Sequence, residues 1–171
     1  MKYLTLLICL IAICSTQTNA QTEDQKAFPC RYGDEYKKLD FWLGEWDVFV
    51  KDKKTATSSI TKSEGGCTLH EDYKTFANFF GRSINYHDPS DGKYTQIWID
   101  KFNGITTFKE IESREGYLKM QAENGKGTLT NMDYTFDEIT GNVTQTMESS
   151  KDEGKTWKTT FIGVYKKKTT S

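Results

Sequence analysis

One carboxylate, three carboxamides and an indole are the groups in this sequence best suited to recognising a small molecule: Glu71, Asn85, Gln96, Gln145 and Trp98. A carboxamide offers both donors and an acceptor, a carboxylate accepts or holds a proton, and an indole offers an apolar face with one donor. They lie far apart in the chain, so only tertiary structure can bring them together. Each sits in a run that reads as a β-strand, where successive side chains point to opposite faces. On that parity Leu69, Glu71 and Tyr73 share a face, as do Ser83, Asn85 and His87. So do Tyr94, Gln96, Trp98 and Asp100, and likewise Val143, Gln145, Met147 and Ser149. If these faces look into one enclosed space, they form a cavity of a few fixed polar groups among aromatics, the usual makeup of a ligand pocket. The alternative for the same residues is a buried network in which the amides satisfy one another.

Catalytic chemistry has fewer footholds. Glu71 could act as a general acid or base, with Asn85 and Gln96 polarising a substrate. The chain has two histidines, His70 and His87, and parity puts them on opposite faces. His70 reads as a surface residue and His87 as a residue of the rim. No serine lies in a nucleophile-elbow context, no glycine-rich loop suits a phosphate, and no cluster has metal-ligand spacing. No cofactor or metal is expected, and no catalytic residue is assigned. Ser150, Asp152, Gly154, Thr156 and Trp157 fit the Ser-x-Asp-x-Gly-x-Thr-Trp pattern of the Asp box. A glycan-processing propeller would need several copies at a repeat period. A single copy reads as the hairpin joining the last two strands, with Trp157 packed behind it.

The elements that must position these groups are short. Aromatic and β-branched runs alternate with Gly, Asn, Asp and Lys clusters, and no long stretch has the apolar period of a helix. Strands are predicted at 43–51, 56–64, 67–76, 80–87, 93–100, 104–111, 116–122, 127–136, 142–149 and 156–166. Turns fall at Asp88-Pro89-Ser90-Asp91-Gly92, Asn103-Gly104, Asn124-Gly125 and Gly141-Asn142. Uniformly short connections predict an all-β, closed, antiparallel up-and-down barrel of about ten strands. A two-sheet sandwich needs longer crossovers.

The opening stretch Asp40-Phe41-Trp42-Leu43-Gly44-Glu45-Trp46-Asp47-Val48 contains the Gly-x-Trp of the lipocalin or calycin group. It also resembles the "FDFWLGxWxV" opening of a DUF1579-like family of mainly bacterial proteins of unknown function. Gly66-Cys67-Thr68-Leu69-His70-Glu71 is similar to that family's "GCxLxE", and Gly81 through Asp88 to its "GxSxNxYD". Gln96-Ile97-Trp98-Ile99-Asp100 is similar to "QxWVD", and Gly154 through Tyr165 to "GGxTWxxxFxGxY". The resemblance covers nearly all of 40–166. Met147 and Lys166 depart from it, standing where the family often has Trp and Arg. It implies a lipocalin-like barrel whose base is plugged by Trp42 and Trp46 beside Gly44, and it implies no established activity. A haem site, as in the related nitrobindin barrels, would need an axial His near the C-terminal strands, where neither histidine lies.

Residues 1–20, with Lys2, an apolar run and Ala20, read as a secretory signal peptide. The run is too short to span a bilayer. A lipid anchor at Cys14 is the alternative, disfavoured by the large Ile13 before it. Residues 21–39 read as an N-terminal lead, 40–166 as the barrel and 167–171 as a tail. The lysines at 166–168 read as solvated. Export to the periplasm or cell exterior leaves Cys30 and Cys67 as an isolated pair, expected to form a disulfide. Without Lys2 the chain carries 22 basic against 24 acidic side chains, which gives no attraction for nucleic acid. The function expected is binding of a small hydrophobic or amphiphilic molecule in the barrel. The alternatives are a barrel enzyme using Glu71, or a filled barrel serving as a structural or protein-interaction module.

Overall fold

A computed structural model describes residues 21–124 and 127–168. The signal segment at 1–20 with Cys14, the Gly125 of one predicted turn, and the last residues of the tail lie outside the described residues. The lead opens with a short helix, α1 (Glu23–Ala27). Thr22 and Gln25 cap it reciprocally, each side chain accepting from the other's backbone N–H. Three single 3₁₀ turns follow, Pro29–Arg31, Asp34–Tyr36 and Asp40–Trp42.

Ten strands then follow among the described residues. They are β1 (Gly44–Val50), β2 (Lys53–Lys62), β3 (Thr68–Thr75), β4 (Phe80–Asp88) and β5 (Lys93–Asp100). The second half is β6 (Ile105–Arg114), β7 (Tyr117–Glu123), β8 (Leu129–Asp137), β9 (Asn142–Ser150) and β10 (Lys158–Lys167). Each pairs antiparallel with the next, and β1 pairs with β10, so the sheet closes into a barrel. Closure leaves no exposed sheet edge.

Two differences from the sequence reading have clear causes. β2 begins at Lys53 rather than 56, because Lys51 and Asp52 both take positive φ (49° and 64°) and make a two-residue hairpin turn. Neither residue is the usual Gly or Asn, so composition does not mark the turn. Lys167 belongs to β10 and not to a solvated tail. It pairs with Trp46, its Nζ donates to the Leu43 carbonyl, and it sits 4.3 Å above the Trp46 ring. The closing ladder needs this residue as the partner of the first strand.

One end of the barrel is sealed as the opening motif implies. Trp42 and Trp46 are fully buried. Trp42 packs 4.6 Å from Tyr134 and 5.7 Å from Tyr165, while Trp46 meets Tyr165 edge-on at 6.4 Å. Trp46 Nε1 donates to the Trp42 carbonyl at 2.8 Å. Trp42 itself sits in the turn before β1, and Gly44 makes the corner between them with φ of +125°, open to glycine and strained for other residues.

The lead is strapped over this sealed end. Lys62 Nζ reaches Asp40 Oδ1 at 2.6 Å, and Lys38 reaches Glu110 at 2.6 Å. Cys30 and Cys67 are joined by a disulfide across 37 residues. At the other end of the chain, the Asp-box sequence forms the β9–β10 hairpin. Asp152 accepts from Thr156 N and Oγ1, Ser150 Oγ accepts from Gly154 N, and Trp157 Nε1 donates to the Gly154 carbonyl. Among the described residues no helix is long and apolar enough to cross a membrane.

Replacing Cys30 and Cys67 by serine is expected to remove about 3–4 kcal/mol of stability, the value the chain-entropy model assigns to a loop of that length. Urea unfolding of the oxidised protein against the double variant measures it; coincident curves would contradict it.

Candidate functional site

Inward parity on successive strands brings the sequence-nominated groups into the barrel. Glu71 (β3), Gln96 and Trp98 (β5) and Gln145 (β9) line a cavity of ≈430 Å³. Glu71 and Gln96 are 4% and 2% exposed. Tyr165, Met132 and Phe108 form the deep wall beside them. The cavity reaches the surface away from the tryptophan plug, between the half-buried Tyr73, Phe79, Asp100, Met147 and Phe161. A larger concavity of ≈790 Å³ lies on the outer wall, among side chains such as Thr57, Ser59, Lys74 and Lys101. It is crossed by the Arg82–Asp72 ion pair at 2.6 Å, and it meets the interior site at Ser58, Tyr73 and Asp100.

Asn85 does not line the cavity. It is fully buried one bond behind it, with its Oδ1 taking Gln96 Nε2 at 2.8 Å and its Nδ2 donating to Ser83 Oγ and the Leu69 carbonyl. It is therefore a positioning residue for Gln96. The expected amide network exists and is continuous. Ser58 Oγ donates to Glu71 Oε1 at 2.8 Å, and Ser83 Oγ donates to Oε2 at 3.2 Å. Gln96 Nε2 donates to Tyr134 Oη at 3.0 Å, as does Gln145 Nε2 at 3.1 Å. Tyr165 Oη donates to Gln145 Oε1 at 2.9 Å. The network and the cavity coexist: the polar groups satisfy one another along one wall, and an empty space remains before them.

Ser83 lies on a face the sequence marks as inward, whereas Ser58, Tyr134 and Tyr165 carry no role in the sequence reading. Ser58 and Tyr165 lie on the strands flanking β1, and their inward parity was the available signal. Gly81 was quoted only as part of a motif. A Cβ there would lie 2.8 Å from the Ile99 carbonyl oxygen and closer still to the Trp98 ring. The indole thus lies flat across the β4 backbone because position 81 has no side chain, and it meets Tyr73 edge-on at 6.2 Å.

Burial pushes the Glu71 carboxyl up to about 7, with the hydroxyls of Ser58 and Ser83 pulling it down and Asp72 adding a smaller upward push. Burial, then the charge of Glu71, raises the phenols of Tyr73 (to about 12) and Tyr134. Glu71 therefore titrates near neutrality inside an apolar enclosure. The histidines are elsewhere. His70 Nε2 pairs with Thr68 Oγ1 at 2.8 Å on the outer face of β3. His87 packs edge-on against Tyr36 of the lead at 5.4 Å. Among the described residues no group of three or more His, Cys, Asp or Glu side chains is placed to hold a metal ion. No protein-family model matches the chain, and no curated protein shows a significant match to it.

Two expectations follow. The native state keeps the Glu71 proton up to pH about 7, whereas an exposed carboxyl releases it near 4.5. The native state then binds more protons across that window, so stability falls as pH rises through it. Glu71→Gln removes this penalty and should stabilise the protein by about 3 kcal/mol above the native value, with the gain fading as pH drops toward the unfolded one. Urea unfolding over a pH series tests it, and a loss of stability independent of pH would refute it. Gly81→Ala should expel Trp98 from its seat, visible as a shift in tryptophan emission and a cost of about 1–3 kcal/mol from overpacking.

Proposed function

We propose that this protein is an exported, lipocalin-like barrel, of the kind its DUF1579-like motifs imply, that binds a small hydrophobic or amphiphilic molecule inside the barrel. One observation carries the reading: a closed barrel whose sealed end is filled by aromatics still keeps ≈430 Å³ of lined space. Ligand pockets start at about 300 Å³. A barrel serving only as a structural module would gain buried apolar contact by filling such a space with side chains. The lining suits an amphiphile. Aromatic and thioether surfaces from Trp98, Phe108, Phe161, Met132 and Met147 surround the polar points Glu71, Gln96 and Gln145. The Cys30–Cys67 disulfide and the signal-like start of the chain support export.

Acid–base catalysis by Glu71 is the second reading, favoured by its rise to about 7. The amide donors of both residues expected to polarise a substrate, Asn85 and Gln96, are engaged in the network.

Native mass spectrometry of the protein purified from its own envelope should reveal a co-purifying small molecule. An unchanged molecule supports binding and a converted one supports catalysis. Repeatedly empty spectra under gentle conditions count against both. A neutral dye of the phenyl-naphthylamine type should bind with one-to-one stoichiometry. Met147→Trp, which enlarges a residue of the mouth, should weaken it by about tenfold or more, because overfilling a lined space costs about 1–3 kcal/mol. Unaltered dye affinity in that variant would place the dye outside the barrel.

A further inference from the structure

We propose that the ligand of this cavity is a hydrophobic amine, bound as its ammonium ion with the nitrogen against Glu71 and its apolar body among the aromatic rings. The inference rests on the binding reading above and names the chemical class that the site selects.

The charge inventory of the lining points one way. Its ionisable carboxylates are Glu71 and Asp100, and no Lys, Arg or His lies among the lining residues described. Asp100 sits at the mouth, where its Oδ1 accepts from the backbone N–H groups of Phe102 and Gly104 at 2.8 and 2.9 Å. Glu71 lies deep, 4% exposed, and its hydrogen-bond partners among the described residues are the two serine hydroxyls, with no cation. A buried carboxylate without a counter-charge is among the most expensive groups a protein can hold. Some half-buried acids of this chain sit against a lysine, as Asp40 with Lys62 and Glu110 with Lys38. Glu71, the most deeply buried acid among the described residues, instead faces the cavity. Each of its oxygens has taken one hydrogen bond and can accept another.

The surrounding surface fits the same ligand. Tyr73, Trp98, Phe108, Phe161 and Tyr165 present π-systems to the cavity, and aromatic faces attract a desolvated cation. Met132 and Met147 add polarisable sulfur. An anion would meet like charge at both ends of the space, and a neutral ligand would leave Glu71 without a counter-ion. The titratable groups that act on Glu71 are Asp72 beside it on β3, and the phenols of Tyr73, Tyr134 and Tyr165, which its charge pushes upward. None of these supplies positive charge. A bound ammonium would do so, and would draw Glu71 into its ionised form.

Three probes of one shape test this: phenylpropylamine, phenylpropanol and phenylpropanoate, titrated into the purified protein by calorimetry. The amine should bind tighter than the alcohol by about tenfold or more, as expected for a desolvated charge pair, and the carboxylate weakest. The amine's affinity should fall as pH drops below about 7, where Glu71 takes up its proton. In Glu71→Gln, which can keep hydrogen bonds to Ser58 and Ser83, amine and alcohol should bind alike. Equal affinities in the unmodified protein, or an amine preference that survives Glu71→Gln, would overturn the amine assignment while leaving the cavity reading intact. No binding by any of the three at millimolar concentration would overturn both. The comparison of probes in the unmodified protein stands even if the variant does not fold.

Discussion

The pairing of β1 with β10 is the constraint on which the rest depends. Through Trp46 opposite Lys167 and Val48 opposite Tyr165 it turns a ten-strand ribbon into a closed wall. An open sheet would present Glu71, Gln96 and Gln145 to water, where each could be solvated independently. Closure removes that option and obliges the inward polar groups to find one another. Because side chains alternate strictly along a strand, a one-residue slip of this ladder would exchange the inner and outer sets. The register is held at two successive positions of one face: Tyr165 is locked inside by Trp42, Trp46 and Gln145, and Lys167, two residues further along β10, lies over the Trp46 ring.

The two ends of the barrel then divide the work. At the sealed end, aromatic area replaces water, and the lead crosses over it under the Lys62–Asp40 and Lys38–Glu110 pairs and the Cys30–Cys67 link. That end is held by several independent contacts. At the open end the same inward faces leave a space, because Gly81 supplies no side chain and lets the Trp98 ring lie flat against the wall. Between the ends runs the hydrogen-bonded path from Ser58 through Glu71, Ser83, Asn85, Gln96 and Tyr134 to Gln145 and Tyr165. Such a path holds its members in fixed rotamers, so that the proposed ligand would meet a pre-ordered wall.

Glu71 is where stability and the proposed function pull apart. Two hydroxyl donors moderate the cost of its burial without abolishing it, and its carboxyl remains near 7. An apolar residue in that position would give a more stable barrel. A carboxyl kept at that depth without a protein counter-ion is the group that the proposed ammonium ligand would pair with.

Strand periodicity, turn chemistry and the isolated cysteine pair were enough to define a closed ten-strand barrel, its approximate strand limits and the disulfide, because these follow from local rules of parity, φ and redox context. Which residues share a face with Glu71, Gln96, Trp98 and Gln145 was equally legible, since parity within a strand is local, but which face looks inward is decided by closure of the wall. The Lys51-Asp52 turn was not, because its left-handed backbone is imposed by the flanking strands and not by its residue types. Nor was the difference between Gln96, which faces the cavity, and Asn85, which stands behind it. Two inward residues on neighbouring strands have the same parity, and only the shear of the closed wall and the bulk of neighbouring rings decide their depth. The same holds for the empty space itself and for the solitude of Glu71. Whether a lysine reaches a buried acid depends on distances across the barrel, and no pattern along the chain encodes those distances.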